Sequence, residues 1–286
     1  MSLWGSGAPV HARAHGYQWT LVASRQHDLR HVTPRSHETT GWLYAGPDVT
    51  PRVRFWLHGP LLPLLVVQGR WTRARAPKLP EAEGPFNGVV GESLGDSMSL
   101  AVVGESTAAG VGVLRQDDAL AFCVARALSR ARQRAVRVQV VGRHGANLRQ
   151  TREALLPQLD LPCDTVLVVT GVNDTLELTN GRTWSTELRE VVRALMSRGA
   201  RHVVFSSIPP LGAIPVLPQP TRSALGARAA YLDGIMREVC AATGAHHVPI
   251  RFERRAGLLA ADGFHPSATG YAAWADTLVA SWPVNG

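Results

Sequence analysis

Four short blocks of small and polar residues contain the groups that acyl transfer from an ester needs. Such a reaction requires a nucleophile, a base to take its proton, a group to orient that base and donors for the oxyanion. In chain order the blocks are Gly104-Glu105-Ser106, Gly142-Arg-His-Gly-Ala-Asn147, Gly171-Val-Asn-Asp174 and Asp262-Gly-Phe-His-Pro266. They contain a serine hydroxyl, a histidine close to an aspartate, and a glycine and an asparagine as N–H donors.

Ser106 lies where a buried strand is expected to end. Residues 100–103 are all apolar and two are β-branched, which is typical of a parallel strand covered on both faces. Gly104 then lets the backbone turn. Small residues at 108–110 and 112 leave the hydroxyl room at the C-terminal edge of the sheet, where open α/β folds bind ligands. Ser106 is therefore a candidate nucleophile, although a serine after a strand is often only a helix cap.

Segments with strand character alternate with helical segments from residue 99 onward. The strand segments are 100–103, 136–141, 165–170, 203–205 and 246–250, and the helical ones lie near 120–128, 147–159, 183–198, 224–243 and 267–282. This alternation predicts an α/β fold, a three-layer α/β/α arrangement with a mainly parallel five-stranded sheet.

Together the four blocks resemble those of the SGNH (GDSL-type) hydrolase family, over about residues 99–280. The match implies a flavodoxin-like SGNH hydrolase fold and a carboxylic ester hydrolase of the esterase, lipase or deacetylase type, without metal or cofactor. It gives Ser106 the role of nucleophile, His265 that of base and Asp262 that of the group orienting the histidine, in an acyl-enzyme mechanism. The oxyanion hole would consist of the backbone N–H groups of Ser106 and Gly145 and the side-chain amide of Asn173.

The chain departs from the family pattern before the nucleophile, where Glu105 stands in place of the usual aspartate. The carboxylate is kept, but its reach is longer by one methylene. Two other tripeptides, Gly91-Glu-Ser93 and Gly95-Asp-Ser97, resemble the nucleophile block, and the second is the literal family sequence. Neither tripeptide follows an apolar run of strand length, which favours Ser106 as the nucleophile. Ser97, in the literal family sequence, is the second choice.

Other interpretations remain open at this point. Asn173, Gly145 and His265 are each, taken singly, ordinary turn or loop residues. An acyltransferase would use the same triad with an alcohol in place of water. A non-catalytic flavodoxin-like binding module is a further alternative, although the sequence has no phosphate-loop or dinucleotide fingerprint.

The N-terminal part differs in charge from the rest of the chain. Residues 1–80 carry 10 Arg and Lys against 3 Asp and Glu, whereas residues 81–286 carry 20 against 19. The near-neutral catalytic part argues against a nucleic-acid partner and leaves the basic N-terminal part as a candidate for contact with an acidic surface. A small-molecule ester substrate is what the family resemblance implies. We expect an N-terminal extension over 1–80, poorly ordered in part, a linker over 81–98 and the hydrolase-like domain over 99–286; the sequence does not reveal the oligomeric state.

An apolar run at 55–67 precedes a basic cluster at 68–78. With 13 residues and two prolines, the run is too short to cross a bilayer, which takes about 20 residues. An apolar segment beside cations suits contact with a membrane surface. The alternative is that residues 55–67 pack on the domain.

Three cysteines, Cys123, Cys163 and Cys240, show no metal-ligand spacing and are expected to be buried free thiols. Free thiols favour a reducing compartment. The first ten residues lack both the basic start and the apolar centre of a signal peptide. We therefore expect a cytoplasmic protein, with a peripheral position at the membrane as a further possibility.

Overall fold

The structure is a computed structural model that describes residues 50–75, 77–92, 96–250 and 256–282. The strands are Asn87–Val90 (β1), Met98–Gly104 (β2), Val136–Gly142 (β3), Cys163–Val169 (β4), Ala200–Ser206 (β5) and His246–Val248 (β6). The α-helices are Pro51–Trp56 (α1), Leu62–Arg75 (α2), Leu120–Arg132 (α3), Leu148–Gln150 (α4), Val172–Leu176 (α5), Gly181–Ser197 (α6), Thr221–Thr243 (α7) and Ala268–Ala280 (α8). A π-helical turn over Thr151–Leu155 continues α4.

The strands form one sheet in the order β1-β3-β2-β4-β5-β6. Strands β2 to β6 run parallel to their neighbours, and β1 pairs antiparallel with β3. After β2 the chain continues to β3 on one side and then crosses to β4 on the other. The order therefore changes direction between β2 and β4, and ligands of open α/β sheets bind at such a switch point, beyond the carboxyl ends of the strands.

Apolar side chains alternate along the central strands and fill a layer on each face of the sheet. In β2, Ala101 and Val103 pack with α6 and α7, whereas Leu100 and Val102 pack with α3 and α8. The buried strands are apolar on both faces, as strands between two helical layers must be. The predicted three-layer α/β/α fold with a mainly parallel sheet is confirmed.

The sheet has six strands rather than the predicted five. The additional strand, β1, lies inside the segment 81–98 that the sequence indicated as a linker. It is a short edge strand with only Val89 and Val90 as apolar side chains, and its residues are exposed or half-buried. Pairing with β3, rather than burial, holds it in the sheet, so its sequence lacks a hydrophobic signal.

Helices α1 and α2 pack against α7, within the region expected to be an extension. Phe55 is buried, and the guanidinium of Arg228 lies 4.9 Å from its ring centre. The side chain of Gln68 donates to the carbonyl of Gln219 at 2.9 Å and accepts from the hydroxyl of Thr221 at 2.7 Å. Residues 50–75 are thus attached to the domain through one face; the expectations for residues 1–49 and for Ser93 lie outside the described residues.

All three cysteines are free and buried, as expected. Burial raises the pKa of the Cys163 thiol to about 11 and that of Cys240 to about 12. Among the helices in the described ranges, none has the length and apolar character needed to cross a membrane.

Candidate active site

Ser106 lies in a tight turn directly after β2, at the switch point of the sheet. Gly104 has φ of +150°, and a Cβ there would lie 1.9 Å from the carbonyl oxygen of Val169 on β4. Only glycine therefore fits between the two strands. The carbonyl of Glu105 accepts the backbone N–H groups of Ala108 and Ala109, which closes the turn. The hydroxyl of Ser106 is consequently held in one place at the carboxyl edge of the sheet.

His265 and Asp262 meet Ser106 from the loop that precedes α8. The Nε2 atom of His265 lies 3.0 Å from the Ser106 Oγ, and its Nδ1 lies 2.6 Å from the Asp262 Oδ2. The other carboxylate oxygen of Asp262 accepts the backbone N–H groups of Phe264 and His265. The three residues proposed from sequence form one continuous hydrogen-bonded chain, with the imidazole between hydroxyl and carboxylate.

The charge of Asp262 is stabilised by these contacts. Burial alone raises the pKa of this carboxyl, but hydrogen bonds from the His265 ring and from two backbone N–H groups outweigh burial and lower the pKa below 3.8. An ionised Asp262 favours the imidazole tautomer with its hydrogen on Nδ1. That tautomer leaves Nε2 free to accept the serine proton.

Ser97, the second choice for the nucleophile, lies at the opposite end of β2. It precedes Met98, whereas Ser106 follows Gly104. At about 3.3 Å per residue, the length of β2 places the two serines roughly 20 Å apart along the strand. His265 therefore lies beside Ser106 and far from Ser97.

The backbone N–H groups of Ser106 and Gly145 are candidate oxyanion donors. Within the described part of the chain, neither donates to another protein group. Gly145 has φ of +79°, and a Cβ built there would have no atom within 4 Å. Glycine is needed at this position for the left-handed turn, and the space beside it is open.

Asn173 lies in the first turn of the short helix α5 after β4, but its amide already has partners. Its Nδ2 donates to the Oε2 of Glu105 at 2.8 Å and to the carbonyl of Ala146 at 3.2 Å. Both hydrogens of the amide are therefore committed. To donate to an oxyanion, Asn173 would have to give up the longer bond to Ala146.

The sequence did not indicate the role of Glu105, which is to connect two blocks of the site by hydrogen bonds. It is only 1% exposed, and its carboxylate accepts the backbone N–H groups of Val172 and Asn173 as well as the Asn173 amide. Burial raises its pKa to about 7, and the nearby charge of Asp174 acts in the same direction. Glu105 thus joins the nucleophile turn to the asparagine block.

Asp174 connects neighbouring segments of the site through its carboxylate. Its carboxylate accepts the backbone N–H of Leu148 at 2.9 Å and the hydroxyl of Thr179 at 3.1 Å. Burial raises its pKa to about 6. Across the described ranges, no group of three His, Cys, Asp or Glu side chains is arranged to hold a metal ion.

The sequence matches the family described as GDSL-like lipase/acylhydrolase over residues 102–273, which is more than half of the chain. The protein belongs to this family. The resemblance inferred from the four blocks is confirmed, and residues 102–273 include the serine, glycine, asparagine and histidine blocks of the site.

A curated relative in this family is the GDSL-like esterase Rv1075c of Mycobacterium tuberculosis, which is 30% identical over 192 residues. The aligned part covers 63% of this chain and 60% of the relative. The chain thus spans about three fifths of the length of the curated relative it matches. The family and the relative's name both support ester hydrolysis as the general class of reaction.

Solved structures share the fold at low sequence identity. One is LAE5, an α/β hydrolase from the metagenome of Lake Arreo, Spain, with a TM-score of 0.51 and 18% identity over 64% of this chain and 94% of that chain. Another is a protein described as lipolytic and of the G-D-S-L family from Desulfitobacterium hafniense, with a TM-score of 0.50 and 11% identity over 64% of this chain and 99% of that chain.

His144 is a further site residue of this GDSL-family protein that sequence reasoning missed. Its ring centre lies 5.8 Å from that of His265, and its backbone N–H donates to the carboxylate of Glu81. Its position directly before Gly145 was the signal that could have found it. The His144 ring is therefore a neighbour of the histidine in the Ser106–His265–Asp262 chain.

Proposed function

We propose that the protein is a serine-dependent carboxylic ester hydrolase of the esterase, lipase or deacetylase type. The observation that carries the proposal is the hydrogen-bonded chain from Ser106 Oγ through His265 to Asp262. This arrangement has the order of groups that nucleophilic acyl transfer requires. Membership in the GDSL-like lipase/acylhydrolase family supports the same reaction class.

In the proposed first step, Ser106 Oγ attacks the ester carbonyl while its proton passes to His265 Nε2. Asp262 accepts a hydrogen bond from the Nδ1–H group of His265 and stabilises the imidazolium that forms. The imidazolium then gives the proton to the oxygen of the leaving alcohol, and an acyl-enzyme remains on Ser106. In the second step water attacks the acyl group, His265 takes its proton and returns it to Ser106 as the acid leaves.

The negative charge that develops on the carbonyl oxygen needs donors that are not already engaged. The N–H groups of Ser106 and Gly145 meet this condition, which supports their proposed role in the oxyanion hole. Asn173 is the third proposed donor. Its bond to Glu105 would hold the amide in place while the weaker bond to Ala146 is exchanged for the oxyanion.

Hydrolysis of nitrophenyl esters by Ser106→Ala and Ser97→Ala tests the proposal. We expect Ser106→Ala to reduce kcat by about four orders of magnitude or more. Its thermal midpoint should stay close to that of the wild type, because a hydroxyl is the only group removed. Ser97→Ala is the matched control and should keep its activity. An active Ser106→Ala together with an inactive Ser97→Ala would contradict the assignment.

A further inference from the structure

The segment from α1 through α2 exposes an unusual share of the large apolar side chains in the described part of the chain. Seven large apolar residues between 53 and 71 are at least 40% exposed, and as many are exposed over all the other described residues together. They are Val53, Leu57, Leu61, Leu64, Val66, Val67 and Trp71. We call these seven residues the α1–α2 surface. Such a concentration marks an interaction site.

The segment that forms this surface carries charge of one sign. Residues 50–80 contain six Arg and Lys and no Asp or Glu, whereas residues 1–49 contain four Arg against three Asp and Glu. The net positive charge of the N-terminal part is thus concentrated in residues 50–80. Within α2 the leucines and valines fill the first half and the arginines the second. In the second half, the guanidinium of Arg75 lies 4.0 Å from the ring centre of Trp71.

The α1–α2 surface is also connected to the loop beside the triad. Gln68 on α2 holds Gln219 and Thr221, at the end of the loop that follows β5. The same loop contains Val216, which lies 3.4 Å from the position that a Cβ on Gly263 would take. Gly263 directly follows Asp262. Through these contacts α2 is connected to a loop that touches the residue after Asp262.

We propose that the α1–α2 surface docks on an anionic lipid bilayer. Leu64, Val66 and Val67 enter the boundary between head groups and acyl chains. Trp71 lies at the head-group level, and Arg75 and Lys78 contact lipid phosphates. A two-fold dimer through the same surface is disfavoured, because it would bring two sets of six cations together without a carboxylate in either segment. The docking does not depend on the hydrolysis proposed above.

Vesicle sedimentation of the full chain tests the docking. We expect binding to vesicles of phosphatidylcholine with about 30% phosphatidylglycerol, which have a clearly negative surface. Vesicles of phosphatidylcholine alone should bind little protein. Leu64→Gln/Val67→Gln should weaken binding by about tenfold or more, because two inserting side chains are lost. Val89→Gln/Met196→Gln, which removes two exposed apolar side chains elsewhere, is the matched control and should bind as the wild type does.

A charge variant and a soluble assay complete the test. Arg75→Glu/Lys78→Glu should weaken binding to the anionic vesicles steeply, since each cation near the surface contributes about fivefold in affinity. All variants should hydrolyse a soluble nitrophenyl ester at the wild-type rate, which separates docking from catalysis. Equal binding to neutral and anionic vesicles, or equal losses in the test and control pairs, would overturn the proposal. So would a dimer in light scattering that Leu64→Gln/Val67→Gln dissociates.

Discussion

Replacing Glu105 by glutamine tests how the buried carboxylate beside the nucleophile titrates. Burial raises the pKa of Glu105 from 4.5 to about 7, so the native protein keeps this proton at a higher pH than the unfolded chain does. The native state is therefore destabilised progressively as the pH rises from 4.5 to about 7. The shift corresponds to about 3.5 kcal/mol of unfolding free energy at about 1.4 kcal/mol per pKa unit.

Glu105→Gln keeps the size of the side chain but cannot ionise. Its amide nitrogen must replace one of the oxygens that accept from Val172 and Asn173, so the variant loses a buried acceptor. That loss costs about 1–3 kcal/mol and does not change with pH. The difference between wild type and variant at two pH values therefore isolates the titration of Glu105.

Guanidinium unfolding of both proteins at pH 5 and pH 8 measures this difference. From pH 5 to pH 8 the wild type should lose about 2.5 kcal/mol of unfolding free energy relative to Glu105→Gln. Glu238→Gln, a change at an exposed glutamate on α7, is the matched control and should follow the wild type. If the wild type and Glu105→Gln keep the same separation at both pH values, burial does not control the ionisation of Glu105.

Two further predictions concern the proposed catalytic groups. Asp262→Asn should lower kcat by about four orders of magnitude, because the imidazole loses the partner that fixes its tautomer. Hydrogen bonds lower the pKa of Asp262, so its ionised carboxylate stabilises the fold at neutral pH. This stabilisation is lost as the pH falls through and below about 3.8, and unfolding curves of Asp262→Asn should not show that loss. Asn173→Ala should lower kcat by about 10²–10³ with a small change in KM, if the amide serves the oxyanion. If Asn173→Ala also lowers the thermal midpoint, and kcat returns to the wild-type value at a temperature where the variant is fully folded, the role of Asn173 is structural.

The sequence predicted the elements that are long and strongly patterned. Strands such as β2 and β4 are apolar on both faces because helices cover them on both sides, so each appears as a continuous apolar run. Ser106 and His265 lie 159 residues apart in the sequence, yet their side chains meet at the carboxyl edge of the parallel sheet. Parallel topology therefore brought the two blocks together in a way that chain order and strand positions could indicate.

Other features of the structure have no recognisable pattern in the sequence. Edge strand β1 has two apolar residues, because pairing rather than burial holds it. Helices α1 and α2 lie in a segment with Pro60 and Pro63, and the seven exposed apolar residues of that segment give it the composition of a core segment. The bond between Glu105 and Asn173 joins residues 68 apart. It depends on the side-chain length of the glutamate and on the packing of two loops, which a single sequence does not reveal.

The most direct test of the proposed mechanism is covalent labelling with a fluorophosphonate, followed by intact mass and peptide mapping. The serine hydroxyl attacks phosphorus and fluoride leaves, so one phosphonyl group per chain should appear on Ser106. Labelling should become very slow in His265→Ala, because Ser106 then lacks the base that takes its proton. Stoichiometric labelling on Ser97 or another residue, or an unlabelled protein that still hydrolyses esters after treatment, would contradict Ser106 as the nucleophile.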